Sequence, residues 1–240
     1  MHKLRRWIER GHKMDAVTII IPVYNEEEIL AKNIKKLIKD LKNSKLKFEV
    51  IIADNGSTDS TPEIAKWLSK VYEGCVEYLR FKERGPGNAF KNAVKKAKYS
   101  KIIQLDADLS INYKEFILKS TKLLDSYEMA IGSKLTTQNR HLYRKILSAG
   151  FIVLSKLLFN LSYSDYSIGA KAYRKEFLLR NIELIDRWTF YPFKLAAIAK
   201  KVKEIKVYCF DKRKSKFNLL KEVIYKFYNI LKFKLEMLQK

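Results

Sequence analysis

Short runs of consecutive apolar residues alternate with longer stretches of helical spacing through the first half of the chain. Val17–Val23 (VTIIIPV) is nearly uninterrupted, whereas Glu26–Leu41 places apolar residues at Ile29, Leu30, Ile34, Leu37, Ile38 and Leu41. The first pattern predicts a strand and the second an amphipathic helix. The same reading gives a strand over Phe48–Ala53, a helix entered at Pro62 after the turn-rich Asn55–Ser60, and a strand over Val76–Phe81. A helix over Ala89–Lys98 and strands over Lys101–Leu105 and Met129–Ser133 follow. Runs that are apolar throughout suit strands covered on both faces. Their alternation with helices predicts an α/β fold: a mostly parallel, doubly wound sheet with right-handed crossovers and helices on both sides.

The second half has a different texture. His141–Phe159 predicts a long apolar helix, Ile168–Arg174 a short strand, Phe190–Lys200 a helix and Glu204–Phe210 a last strand, followed by the basic run Asp211–Lys216. The tail repeats apolar residues at Phe217, Leu220, Ile224, Phe227, Leu231, Leu235 and Leu238, with Lys221, Lys226, Lys232, Lys234, Glu236 and Lys240 mostly elsewhere. That is one apolar face of an amphipathic helix. The expected organisation is a basic N-terminal arm over 1–13, a main domain over 14–216 and an amphipathic basic C-terminal helix over 217–240.

Charge changes the picture more than composition does. The 240 residues carry 49 Lys+Arg against 26 Asp+Glu, a net charge of +23. Such a field gathers anions, whether nucleic acid, anionic lipid or nucleotide-sugar, and charge alone does not choose among them. Cys75 and Cys209 lie far apart without metal-ligand spacing, which excludes a disulfide scaffold or zinc ribbon and suits a reducing cytosol. The longest apolar stretch, Ile146–Leu158, is interrupted by Lys156 and is shorter than the roughly 20 residues a bilayer requires. No apolar signal core follows the basic opening. The expected location is the cytoplasmic face of a membrane, held peripherally, with no transmembrane helix.

In a parallel sheet, ligands sit beyond the carboxyl ends of the strands. Polar clusters stand at those positions: Tyr24-Asn25-Glu26 after the first strand, Asp54-Asn55-Gly56 after the second and Asp106-Ala107-Asp108 after the fourth. Carboxylates two residues apart reach the same side of an extended chain and can share a divalent ion such as Mg2+ or Mn2+. An exposed acidic turn would look the same. Asp54 can accept a ring N–H from a nucleobase and Tyr24, after Pro22, can pack against the base; a helix-capping Asp and a core Tyr are the alternatives. Arg84-Gly85-Pro86-Gly87-Asn88 opens a helix whose amides can approach an anion, or is a plain turn.

Together these blocks resemble a known family. Ile21–Glu27 (IPVYNEE), Asp54–Thr61 (DNGSTDST), Glu83–Ala89 (ERGPGNA) and Asp106–Ser110 (DADLS) occur in the order and spacing of the family-two inverting glycosyltransferases with the GT-A fold. Gly132–Lys134 (GSK), Arg144–Gly150, Ser164–Lys175 and Lys214–Leu219 are similar to the polyprenyl-phosphate sugar synthases, of dolichyl-phosphate mannose or glucose type. The resemblance implies a nucleotide site formed by Pro22, Tyr24, Glu26, Asp54, Gly87, Asn88, Asp106 and Ala107. It implies a metal, Mg2+ or Mn2+, held by Asp106, Asp108 and Ser110. It places Lys134, Arg144, Ser148, Arg213 and Lys216 around the acceptor phosphate, with Asp106, Asp108, Lys134, Arg144 and Ser148 as the catalytic set. Four positions depart from the pattern. Lys134 stands for the usual Arg, Ser110 for Gln, Ala170 for Phe, and Phe193 for the Glu of an FxxE helix.

The expected reaction is inverting transfer of a hexose from GDP-mannose or UDP-glucose to a polyprenyl or dolichyl phosphate. Transfer to an alcohol calls for a carboxylate base. Beyond Asp108 no convincing one stands out: Asp165 and Asp186 offer candidates, and no family pattern marks either. A phosphate monoester, with a second pKa near ~6, is already anionic and needs cations instead. Ile146, Leu147, Phe151, Leu154 and Leu158, with the tail face, are expected at the headgroup region of an anionic membrane. Packing on the sheet, or a homodimer, would use the same helices. The rivals are transfer to a glycan hydroxyl, a nucleotidyltransferase, and a basic nucleic-acid-binding protein; no nucleic-acid module is present, so no nucleic acid partner is expected.

Overall fold

The computed structural model describes residues 15–134, 142–161, 163, 169–210 and 219–239, without the side chains of Lys134, 142–148 and 219–222. In chain order the elements are β1 (Ala16–Val23), α1 (Leu30–Lys42), β2 (Lys47–Asn55), α2 (Thr61–Val71), β3 (Val76–Phe81), α3 (Pro86–Lys96), β4 (Lys101–Gln104) and α4 (Tyr113–Leu123). Then come β5 (Met129–Lys134), α5 (Leu142–Phe159), β6 (Lys171–Arg174), α6 (Lys175–Arg180), α7 (Tyr191–Ile198), β7 (Val202–Val207) and α8 (Leu219–Leu238). The strands form one seven-stranded sheet in the order β3-β2-β1-β4-β6-β5-β7. All pairings are parallel except those of β6, which runs antiparallel to both β4 and β5.

Alternation along the strands sends side chains into two cores. Val17, Ile19, Ile21, Val50 and Ile52 meet Ile34, Leu37 and Ile38 of α1, Leu68 of α2 and Phe116 of α4. Ile20, Ile51, Ile102 and Tyr173 meet Phe90 and Val94 of α3, Phe177 of α6 and Tyr191 and Leu195 of α7. Each fully buried aliphatic or aromatic side chain contributes about 1.5–3 kcal/mol, which is why these runs have no polar face. A third, largely aromatic cluster joins α5, α7 and α8: Phe151, Phe190, Phe193, Ile230 and Phe233.

Three elements differ from expectation for physical reasons. Helix α4 lies where no helix was predicted. Its buried stripe, Tyr113, Phe116, Ile117, Ser120 and Thr121, includes two hydroxyl residues that satisfy themselves on the Ile117 carbonyl at 3.1 and 2.7 Å. Helix α3 begins at Pro86, three residues earlier than predicted, because proline suits a first helical position. Helix α5 turns another face to the protein than the pattern suggested. Phe151, Leu154 and Leu158 pack inward in the aromatic cluster, while Val153 and Leu157 are exposed. In α8, Ile230 and Phe233 are buried, whereas Ile224, Leu231, Leu235 and Leu238 are exposed.

Candidate active site

The sheet order reverses between β1 and β4: β2 and β3 extend one way from β1, and the rest of the sheet lies beyond β4. A crevice forms at the carboxyl ends of strands flanking such a switch point. The loop after β4 supplies its acidic pair. Leu105, Ala107, Leu109 and Ile111 are buried, while Asp106 is exposed and Asp108 and Ser110 are half-buried. That period of two sends all three oxygen-bearing side chains off one side of the loop.

The loop is pinned from both directions. Asn33 of α1 donates from Nδ2 to the Ala107 carbonyl at 2.9 Å, and the Ser110 N–H donates to Asp108 Oδ1 at 3.1 Å. After β7 the chain crosses back, the Phe210 N–H donating to the Ser110 carbonyl at 2.6 Å and Cys209 bridging to Ile111. Leu109 adopts a φ of 49°, uncommon without glycine; its buried side chain and its N–H bond to the Asp106 carbonyl hold it there. Gly169 abuts Asp106 so closely that a Cβ would lie 2.0 Å from either carboxylate oxygen. Asp108 and Ser110 also border a cavity of about 700 Å³ with Asn33, Lys36, Asn112 and Phe210.

The first two strand ends are knitted together. Asn25, at a φ of 52°, receives the Thr58 N–H on Oδ1 at 2.9 Å, and its own N–H donates to Ser57 Oγ at 3.0 Å. The Glu26 N–H donates to Thr61 Oγ1 at 2.8 Å. Pro22 lies within β1. Asp54 is wholly buried at the end of β2, where Oδ1 accepts the Ser57 N–H at 2.9 Å and Oδ2 accepts the Tyr78 hydroxyl at 3.1 Å. Burial, then the charge and hydrogen bond of Asp54, push the Tyr78 phenol well above its ordinary range, so it remains a donor. The Arg84 guanidinium lies 4.1 Å from the Tyr24 ring centroid, already stacked on one face of that ring.

The glycine-rich turn does something other than hold out free amides. The Gly87 N–H donates to the Arg187 carbonyl at 3.0 Å, and the Gly85 N–H to Asn55 Oδ1 at 2.9 Å. A Cβ on Gly87 would lie 2.0 Å from the Asp186 carbonyl oxygen and 2.5 Å from that of Trp188. The turn thus fastens the 186–188 segment to the start of α3, and Arg187 adds a bond from Nε to the Arg84 carbonyl at 2.9 Å. Asn88 follows within α3. Asp186 accepts the Trp188 N–H on Oδ1 at 3.1 Å and pairs through Oδ2 with Lys194 at 2.9 Å. Tyr191 donates to Gln104 Oε1 at 2.9 Å. Burial holds the Tyr191 phenol far above its usual range; the Gln104 bond opposes the shift and the Asp106 and Asp186 carboxylates add to it.

The acceptor residues are placed by backbone alone or not at all. Lys134 closes β5 at the same sheet edge, and Arg144 and Ser148 lie within α5. Arg213, Lys216, the arm 1–13 and Asp165 lie outside the described residues. Phe193, at the position of the expected FxxE glutamate, is buried and stacks on Phe190 with centroids 5.0 Å apart. Gly169 was missed as a site residue, although a lone glycine heading a short strand is itself a signal of close backbone approach. Among the described residues no three His, Cys, Asp or Glu side chains cluster. A cation here would therefore rest on Asp106, Asp108, Ser110 and substrate oxygens, the hard, open donor set of Mg2+ or Mn2+.

Known proteins share this fold. A profile of Glycosyl transferase family 2 matches residues 18–180. Undecaprenyl-phosphate 4-deoxy-4-formamido-L-arabinose transferase of Proteus mirabilis is 25% identical over 196 residues, covering 81% of this chain and 60% of the relative. Its counterpart from Photorhabdus laumondii is 28% identical over 192 residues, covering 80% and 59%. The chain thus spans about three-fifths of the length of these curated relatives. Among solved structures, Mycobacterium tuberculosis glucosyl-3-phosphoglycerate synthase with uridine diphosphate superposes at a TM-score of 0.62 and 16% identity, over 95% of this chain and 80% of that one. A Pyrobaculum calidifontis mannosyltransferase with GDP-Man and Mn2+ gives 0.57 and 20%, over 88% and 64%. These likenesses show the GT-A fold, and the family match extends over more than half of the chain: it belongs to glycosyl transferase family 2.

Proposed function

We propose that this protein transfers a sugar from a nucleotide-sugar to the phosphate of a polyprenyl phosphate, with inversion and with Mg2+ or Mn2+. The observation that carries the reading is the outward-facing Asp106-Asp108-Ser110 set at the switch point, beside the strand ends bearing Tyr24 and Asp54. The undecaprenyl-phosphate relatives support a lipid phosphate acceptor. The donor sugar belongs to the proposal too, either mannose on GDP or glucose on UDP.

In this reading Pro22, Tyr24, Glu26, Asp54, Gly87, Asn88, Asp106 and Ala107 border the nucleotide, with Gly87 acting through packing. Bound metal supplies charge neutralisation for the departing diphosphate. Asp106, Asp108 and Ser110 hold it. Lys134, Arg144, Ser148, Arg213 and Lys216 hold the acceptor phosphate beside the anomeric carbon. Arg213 follows Phe210 by three residues, a reach of at most about 11 Å from the Ser110 contact. In this reading acidic and basic groups share one crevice. Two further features favour a nucleophile that needs no base: Phe193 fills an apolar cluster, and Asp186 is committed to Lys194 and a turn. The test is incubation with Mn2+, a panel of nucleotide-sugars, and either short polyprenyl phosphates or soluble glycans. Product on the lipid phosphate is expected; product only on glycan hydroxyls would replace this reading with the rival one.

The proposal extends to peripheral attachment at the cytoplasmic face of the membrane, with 14–216 as catalytic domain and 217–240 as anchor. Among the described residues no helix is long and apolar enough to cross a membrane. Yet α8 exposes Ile224, Tyr228, Leu231, Leu235 and Leu238, and α5 exposes Val153 and Leu157. Lys232 and Lys234 flank this surface, each worth on the order of 1 kcal/mol against anionic lipid. Co-sedimentation with anionic vesicles is expected for the full chain and is lost when Leu231 and Leu235 are both changed to Glu. Concentration-dependent dimerisation lost in the same variant, without vesicle binding, would assign this face to a homodimer.

A further inference from the structure

Most cations of this chain are lysines, yet three arginines gather around the ends of β1 and β2. Arg80 of β3 lies 3.9 Å from the Asp54 carboxylate, and Arg187 donates from Nε to the Arg84 carbonyl at 2.9 Å. The Arg84 guanidinium covers Tyr24, and its 4.1 Å to the ring centroid is the shortest cation–ring distance among the described residues. Such a contact adds little to stability at an exposed position, so its place matters more than its strength.

The main chain beneath Arg84 is fixed. Asn55 Oδ1 accepts the Gly85 N–H at 2.9 Å. Gly56, at a φ of 85°, lies so near the 82–84 segment that a Cβ would stand 3.3 Å from the Arg84 nitrogen. The Arg84 side chain, by contrast, is exposed, and Tyr24 is half-buried under it. The plane that this stack turns to solvent is therefore the guanidinium, not the phenol ring. Asp54 is wholly buried, its oxygens occupied by Ser57 and Tyr78, so Arg84 is the group an incoming base meets first. Tyr24 follows β1, which borders β4 and its acidic loop at a strand spacing of ~4.8 Å. The acceptor residues lie the other way, from β5 onward. A diphosphate held by Asp106 and Asp108 thus leaves its nucleoside beside the Tyr24–Arg84 stack.

We infer that Arg84 is the nucleobase platform of the donor site: the base stacks on the outer face of its guanidinium, with Tyr24 as the layer beneath. A delocalised planar cation stacks on aromatic faces, whereas a lysine ammonium is a compact point charge without a plane. Stacking reads a π-face and not a hydrogen-bond pattern, so the platform serves uracil and guanine alike. The inference rests on the donor half of the transfer reading and not on the acceptor.

The experiment compares wild type with Arg84→Ala and with Arg84→Lys, which keeps the charge and removes the plane. Arg84 is exposed, and its backbone carbonyl rather than its side chain holds Arg187, so both variants should melt with wild type. Calorimetry in Mn2+ measures the affinity for UDP, for GDP and for pyrophosphate, which has no base. Arg84→Ala is expected to bind both nucleotides about fivefold to tenfold more weakly, the lower end of base stacking on aromatic side chains. Arg84→Lys should lose nearly as much, and both variants should bind pyrophosphate as wild type does. Recovery by lysine, or a parallel loss for pyrophosphate, would mean that Arg84 attracts the diphosphate by charge, and overturns the inference. Nucleotide binding by Arg84→Ala within twofold of wild type overturns it too. So does tighter binding, which would show the guanidinium merely occupying the seat of the base on Tyr24. Wild type that binds neither nucleotide sinks the donor-site reading and the inference with it. Wild type that binds both, with Arg84→Ala its equal, sinks the inference alone.

Discussion

Changing Asp108 to Ala is expected to abolish sugar transfer while leaving the protein folded. The loss should exceed the roughly 10–100-fold that removal of an outer-shell partner typically causes at a metal site. Asp108 is half-buried on a loop whose hydrophobic residues, Ala107, Leu109 and Ile111, do the packing. Alanine forfeits the bond from the Ser110 N–H, worth about 0.5–1.5 kcal/mol, which a domain of this size withstands. Asp108→Asn separates charge from shape, since its amide oxygen still accepts that N–H while the negative charge is gone. It is expected to be as inactive as the alanine variant, with an unchanged melting temperature. Full turnover by Asp108→Asn at ordinary Mn2+ concentration would remove the metal assignment.

That loop was legible in the sequence because its two alternating sets of side chains face opposite environments. Apolar residues at 105, 107, 109 and 111 specify a buried side, and the carboxylates are left on the other. The strands β1 and β2 were legible for a related reason: a sheet covered on both faces favours runs of apolar residues, broken here where buried Thr18 donates to Glu49. Helix α4 was hidden because Ser120 and Thr121 occupy its buried stripe, their hydroxyls satisfied within the helix. The tail helix was legible only in part. It is apolar on more than one side, and periodicity does not say which side the rest of the protein covers; Ile230 and Phe233 are covered, Leu231 and Leu235 are not.

Contacts between distant segments escaped altogether. ERGPGNA reads as an anion-binding turn, yet the Gly87 amide is spent on the Arg187 carbonyl, a hundred residues further along. Tyr24 reads as a platform for a base, yet Arg84 already covers one of its faces. Both facts follow from crossover geometry that no local pattern encodes. They also refine the site: the 84–88 turn shapes the crevice by gripping the 186–188 segment, which carries the Asp186–Lys194 pair.

Two glycines with the same apparent clash should fail in opposite ways. At Gly87 an added methyl meets the backbone carbonyls of Asp186 and Trp188 at 2.0 and 2.5 Å, and backbone held on both sides yields little. Gly87→Ala must therefore lift the 186–188 segment and lose the bond to Arg187, at about 1–3 kcal/mol. Its melting temperature should fall by about 2–4 °C for each of those kcal/mol. At Gly169 the methyl meets, also at 2.0 Å, the carboxylate of Asp106, a side chain rather than backbone. Rotation of that side chain relieves the contact more readily than backbone movement does, so Gly169→Ala should melt closer to wild type than Gly87→Ala. The rotation takes the carboxylate from the position the metal and nucleotide require, so transfer should fall at least as far as when an outer-shell partner is removed, roughly 10–100-fold. Calorimetric melting and initial rates on the same preparations separate the two. Wild-type rates from Gly169→Ala would mean that the Asp106 carboxylate is not used in the position this fold gives it.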